Sequence, residues 1–527
     1  MPESSTTRRL GLAAALLIFT VFLSRVLGFL RDAVIAALFG ATGQTDAFFA
    51  AFTIPDWLMY IVAGGTLSIT FIPIYTRYLK ADDERGGNRV LSIIATTMTI
   101  VIIAGIVVVE YFTPQLTTRY LHKLHPQHIQ LAIHLTRILL PAQLFFYLGG
   151  IASATLFTRK RFVAVSMAPL VYNLGIIVGA AAFGRRFGIT SLAWGALAGA
   201  AVGQFGILVV AAWRAGMRYR PSLAVRDRGF REWILASIPL MAAVTLVSAD
   251  DWIMRYFAAA DVGAISCLSY ARKLVQVPIA VAAQAVAQAS MPFFAQYWAE
   301  GRKKDLGDLV TSSARSSAAI AALAACALIA LGQPAVDLLF RRGHFAADHV
   351  APTAHYVMIF AAAIPLWAMQ AIVSRAFYAA GDTLTPAVAG TLVTVTSLPI
   401  YWIASRSLGT DGLVLASDVG IFMHTAALMV LLPRRVDTVN RRNIVVGTLR
   451  GYLVGGIAAL PAWAAATWLP HGRLHGHLLV LVQLAVGSLI FVSLAALLAR
   501  PLGANDIAGF IEQRILRRRR SALPSRP

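Results

Sequence analysis

The stretch Ser24-Arg25-Val26-Leu27-Gly28-Phe29-Leu30-Arg31-Asp32 decides how this chain is read. It lies inside an apolar run that begins at Leu10 and ends near Phe39. Two arginines and an aspartate stand there where hydrocarbon normally excludes charge. Such a group is expensive unless it faces a cavity or a partner. On a helix at about 100° per residue, Arg25, Gly28, Arg31 and Asp32 fall within roughly 120° of arc. One face is therefore cationic, with a glycine that admits a ligand close to the backbone. That face suits an anionic substrate, phosphate above all, because a guanidinium offers it two parallel hydrogen bonds. The plainer alternative is a helix end whose arginines reach back to water. The apolar residues Ala33 to Phe39 beyond Asp32 favour the site.

The same logic extends to the whole chain. Of its 527 residues 58% are hydrophobic and only 13% charged, with mean hydropathy +0.70. A soluble domain is nearer a quarter charged. Long, non-alternating apolar runs predict an all-α polytopic membrane protein rather than a barrel. The net charge of +22 invites nucleic acid as a partner. The basic residues gather in short loops between apolar runs, however, which is the distribution of a membrane protein's inner loops. Cys267 and Cys326 lie in or beside apolar runs and form neither a disulfide framework nor a metal spacing. The first apolar run lacks a cleavage site and reads as a retained span.

About fourteen transmembrane helices are expected. Spans one and two, Leu10–Phe39 and Ala47–Leu79, are joined by an uncharged turn at Gly40–Thr45. Basic loops follow at Lys80–Arg89, Arg159–Arg161, Arg214–Arg231, Arg302–Lys304 and Arg434–Arg442. An even span count puts both termini on one side, and Arg8-Arg9 with Arg517–Arg520 assign that side to the cytoplasm. His122, His125 and His128 are spaced for one helix face, but Pro126 interrupts them and no acid or cysteine joins, so a surface loop is preferred to a metal site.

Landmarks recur at a near-constant shift of about 220 residues. Phe39 matches Phe257, the Pro73 motif matches Pro292, and Phe157 matches Phe377. The chain then divides into an N-lobe (1–228, spans one to six), a C-lobe (229–440, spans seven to twelve), two added spans (441–500) and a basic tail (501–527). Two six-helix lobes in one orientation place a transport site in a central cationic cavity near the membrane midplane. From the second lobe, Arg272 and Lys273 are expected to face that cavity, since no acid is near them in sequence. Asp251 and Arg255, four apart, are expected to pair on one helix face. Asp46, at the outer end of span two, reads equally as a helix cap or as a gate. Gly64-Gly65 and Gly149-Gly150 permit bending or close packing, of which packing is the commoner reason.

The opening block through Asp32, with Phe39-Gly40 and Thr45-Asp46-Ala47-Phe48-Phe49, resembles the start of the MurJ/MviN lipid II flippases. Further matches in order are Ala168-Pro169-Leu170 with Asn173, Tyr270-Ala271 with Leu274 and Pro278, Leu339-Phe340 with Gly343 and Phe345, and Phe377-Tyr378 with Asp382 and Thr385-Pro386. The family belongs to the multidrug/oligosaccharidyl-lipid/polysaccharide exporter superfamily. The resemblance implies transport of an undecaprenyl-pyrophosphate-linked peptidoglycan precursor from the inner to the outer leaflet of the bacterial plasma membrane. It matches Arg25, Arg31 and Lys273 to the family's cavity cations and Asp32 and Asp46 to its acids; with the reading of the residues themselves, Arg25, Arg31, Arg272 and Lys273 are expected to bind the pyrophosphate, and Gly28, Asp32 and Asp46 to gate or couple. Lys273 stands where the family has an arginine, and Arg272 where it often has an acid. Met59, Tyr60 and Gly64 stand where it often has paired arginines and a glutamate.

The expected partners are therefore the lipid-linked substrate and membrane lipids, with a coupling ion left open and no cofactor or nucleic acid. Two rivals are weighed against this. An exporter of another polyprenyl-linked oligosaccharide, or an ion-coupled drug antiporter, fits the same scaffold; drug exporters favour acidic cavities. An intramembrane transferase would need clustered acids. The compact run Asp82-Asp83-Glu84 sits among basic residues in a solvated loop, so no enzyme is expected.

Overall fold

The structure, a computed structural model, describes residues 23–63, 70–242, 246–468 and 476–520. Helices joined by turns and short loops make it up, with no strand among the described residues. A backbone in hydrocarbon must satisfy its own N–H and C=O groups, and the helix does so within one segment. Arg8-Arg9, Gly64-Gly65 and Arg473 lie outside the described residues.

In chain order, α1 covers 23–39, α2 Gly43–Ala51, α3 Thr53–Ala63 and α4 Ile72–Lys80. Then come α5 (Glu84–Tyr120), α6 (Pro126–Leu139), α7 (Ala142–Thr158), α8 (Val163–Phe187), α9 (Thr190–Gly199), α10 (Leu208–Arg214) and α11 (Arg228–Ala242). The second half runs α12 (Leu246–Ala258), α13 (Ala264–Ile279), α14 (Ala285–Ala299), α15 (Lys303–Phe340), α16 (Ala347–Ala362) and α17 (Ile364–Ala379). It ends with α18 (Leu384–Leu431), α19 (Arg441–Trp468), α20 (His477–Ala499) and α21 (Asn505–Arg520). Among the described residues, eight helices are long and apolar enough to cross a membrane, or nine with the bent pair α16 and α17. Helix α18 breaks at Gly409 (φ 60°, ψ −136°), where the two expected spans eleven and twelve meet. The expected fourteen spans are consistent with these helices.

Large apolar side chains stay exposed along the helices, among them Val107 (63%), Leu489 (69%) and Leu497 (70%). A soluble monomer does not present such patches; here they face lipid. The chain is a multi-pass membrane protein.

Two compact units divide it. The first holds Met1–Ala243, Ala259–Ser266 and Gly343–Phe345; the second holds Val244–Ala258, Cys267–Arg342 and Ala346–Pro527. The division leaves α11 in the first unit and α12 in the second. In the first unit Phe71, Tyr75, Tyr147 and Trp233 are fully buried in one core. Helices α8 and α9 touch through glycines. A side-chain carbon on Gly175 would meet the carbonyl of Gly195 at 2.6 Å, and one on Gly199 the carbonyl of Tyr172 at 2.7 Å. Both pairs, Gly175/Gly179 and Gly195/Gly199, have the four-residue spacing that lets membrane helices approach closely, where dispersion replaces the missing hydrophobic drive. The second unit repeats the device. Gly447, Gly451 and Gly455 of α19 lie against Arg315, Ala319 and Cys326 of α15. Its cores centre on Phe294, Ile372 and Phe377, and on Val454, Ala458, Phe491 and Ile507.

Candidate functional site

Helix α1 carries the first cluster. Arg31 donates from Nε to Asp32 Oδ1 (2.8 Å) and from Nη1 to Asn173 Oδ1 (3.2 Å). Its Nη2 stands 2.7 Å from the same Asp32 oxygen. Asn173 is fixed in turn, donating to the carbonyl of Pro169 on α8 at 3.0 Å. Asp32 is 1% exposed, and its Oδ2 has no partner among the described residues. The Arg31 side chain keeps 17% of its surface open. The guanidinium is therefore aimed by two neighbours yet still accessible, which is the arrangement an anion requires. A side-chain carbon at Gly28 would sit 3.8 Å from Asn173 Nδ2, in ordinary contact. Crowding does not demand this glycine; it leaves the space beside Asn173 open. Arg25 lies on the same helix and is exposed.

Asp46 is a cap, though not of its own helix. Thr42 caps α2, accepting from Thr45 N. The Asp46 carboxylate accepts from Gly263 N (2.5 Å), Ser266 N (2.8 Å) and Ser266 Oγ (2.6 Å). It thereby satisfies orphan N–H groups at the start of α13, where the helix dipole also favours a negative charge. Around it, His344 N donates to Ala37 O at 2.8 Å. Gly40 (φ +70°) leaves no room for a side chain, since a carbon there would lie 2.6 Å from the His344 carbonyl.

Arg272 meets acids from another helix. No acid is near it in sequence, but α12 brings two. Its guanidinium is ion-paired with both Asp250 and Asp251. Nη2 also reaches Ser417 Oγ at 3.3 Å, and Ser417 donates to Asp250 at 2.9 Å. Tyr401 donates to the other Asp250 oxygen, and the Phe360 ring lies 5.2 Å from the guanidinium carbon. Both terminal nitrogens of Arg272 are thus engaged within its own unit, and two carboxylates answer its one charge. A substrate phosphate would have to displace them. Asp251 pairs with Arg272 from the following helix. Lys273, its neighbour, is half-buried.

The remaining expected features are placed more simply. His125 and His128 pack ring to ring at 5.9 Å, and His128 lies against Gly43. Pro126 opens α6. Arg137 meets Glu110 at 3.3 Å. Gly263, Ser266, Tyr401 and Ser417 were not foreseen. The signal available for the serines and the tyrosine was a polar group in an apolar run; the partner lies far off in the chain.

Helices crossing a membrane several times, with an accessible arginine aimed by Asp32 and Asn173, fit the class of membrane transporters. Comparisons with known proteins specify it further. A family profile described as "Lipid II flippase MurJ" matches residues 35–499, and the chain belongs to that family. The chain is 26% identical over 461 residues to the "Probable lipid II flippase MurJ" of Rhizobium meliloti, covering 85% of each chain. It is 27% identical over 425 residues to the "Lipid II flippase MurJ" of Burkholderia cenocepacia, covering 78% of this chain and 82% of that one. Among solved structures, "Lipid II flippase MurJ, inward closed conformation" superposes with a TM-score of 0.75 at 19% identity, over 93% of this chain and 99% of that one. A multidrug MATE transporter in an inward-facing conformation matches at TM-score 0.64 and 16% identity, over 80% and 98%. These structural likenesses speak for the fold.

Proposed function

We propose that this chain translocates lipid II across the membrane for cell-wall synthesis. Both termini face the cytoplasm, as the basic loops require, and the site opens to one leaflet and then to the other. Arg31 is the principal contact to the substrate diphosphate. Asp32 and Asn173 aim it, and Arg25 on the same helix is a second cation. Arg272 holds α12 against α13 rather than binding substrate. The observation that carries this reading is the partly accessible Arg31 guanidinium, fixed by Asp32 and Asn173, inside a membrane helix of a chain from the lipid II flippase family.

The test is a strain that depends on this gene for growth. Arg31→Ala removes a charge-assisted, two-pronged contact worth about 1.5–3 kcal/mol. The expected result is a growth defect with lipid II accumulating in the inner leaflet, while Arg31→Lys retains partial function because it keeps charge without the fork. Normal growth and normal precursor export in Arg31→Ala, at wild-type protein levels, would refute it.

A further inference from the structure

A second polar site lies in the second unit, on elements that the transport reading does not use. Helices α15, α19 and the start of α21 line a partly open cavity of about 90 Å³, roomy enough for a small polar group. Arg315, Asn443, Arg450, Gly503, Asn505 and Asp506 line it. Arg315 donates from Nε and Nη2 to the two oxygens of Asp506, at 3.0 and 3.1 Å. Its charge is thereby countered and its position fixed. Arg450 donates from Nη1 to the carbonyl of Gly503 at 3.0 Å, and among the described residues no acid pairs with it. The cavity therefore carries one net positive charge from its side chains, and α21 adds the positive end of its dipole.

Two glycines make this room. A side-chain carbon at Gly447 would run into the Arg315 stem. One at Gly503 would sit 3.3 Å from the Arg450 guanidinium carbon, and its backbone φ of +68° disfavours any other residue. The depth is fixed by sequence. Uncharged runs extend from Ser316 to Val336, from Gly451 to Trp468 and from Leu478 to Ala499, and Arg315, Arg450 and Arg500 end them. Three arginines at the ends of three hydrophobic runs mark the level of lipid headgroups.

We infer that this cavity binds a phosphate-class anion, either in the headgroup of an anionic phospholipid or as free phosphate. Arg450 supplies the uncompensated charge, Asn443 and Asn505 supply polar contacts, and Asp506 is already engaged by Arg315. The site is independent of the lipid II reading and is tested without transport.

The full chain is purified in detergent and offered phosphatidylglycerol or phosphatidylcholine, with retention read by native mass spectrometry. In a second arm, sodium phosphate is titrated against sodium chloride at equal ionic strength, with the melting midpoint as readout. Arg450→Gln removes the charge, and Asn443→Asp introduces an opposing one at an exposed position that leaves both arginines intact. A preference of the wild type for phosphatidylglycerol, weakened about tenfold in both variants, supports a lipid headgroup. Stabilisation by phosphate alone, lost in both variants and without lipid preference, supports free phosphate. The inference is overturned if the wild type responds to neither, or if the variants, melting as the wild type does without ligand, respond as strongly as it does.

Discussion

Replacing Asp46 probes a single carboxylate that organises the start of a helix 217 residues away. It is 2% exposed and accepts three hydrogen bonds, from Gly263 N, Ser266 N and Ser266 Oγ. In Asp46→Ala the terminal N–H groups of α13 lose their cap, at about 1–2 kcal/mol. The stranded Ser266 hydroxyl adds about 1–3 kcal/mol. The alanine variant is therefore expected to lose about 2–5 kcal/mol in all. Asp46→Asn keeps one carbonyl oxygen for Ser266 and forfeits the charge, so its loss should be about half as large. A detergent-mixture unfolding titration, followed by tryptophan fluorescence, measures both. Adding Ser266→Ala closes a double-mutant cycle, and a coupling of about 1–2 kcal/mol is expected for groups in direct contact. Equal and negligible losses in the alanine and asparagine variants, or a coupling near zero, would show that the cap does not hold this part of the first unit together.

Two further outcomes follow from the buried charges. Arg272→Met strands Asp250 and Asp251 and should destabilise by about 3–5 kcal/mol; adding Asp250→Asn should recover part of that loss in the same titration, and no recovery would argue against the pairing. Asp382, between α17 and α18, is nearly buried, which alone raises its pKa. Hydrogen bonds from Thr385 N (2.9 Å) and Oγ1 (2.8 Å), with the Arg435 guanidinium at 2.9 Å, outweigh burial and hold the carboxyl below its usual range. Its contribution is complete above the unfolded value of about 4 and disappears as pH falls through the lowered folded value. The stability difference between wild type and Asp382→Asn should therefore shrink on acidification below about pH 4, and a difference that does not change with pH would contradict this.

Much of the molecule was legible in the chain. Long uncharged runs, basic loops and the block from Ser24 to Asp32 specify a helical membrane protein and its first cationic face. A charge in hydrocarbon has few permitted surroundings, so composition and 3.6-residue periodicity carry that information locally. What the sequence left open was which charges are answered. Arg272 and Lys273 read alike as adjacent cations, yet the fold sets Arg272 against Asp250 and Asp251 from the preceding helix. Asp46 read equally as a cap of its own helix or as a gate, and the fold sets its carboxylate on the first N–H groups of α13. Arg31 read as one arginine of two, and Asn173 from α8 distinguishes it. Ion pairs and caps depend on distances of a few ångströms between segments far apart in the chain, and only the packing of helices sets those distances.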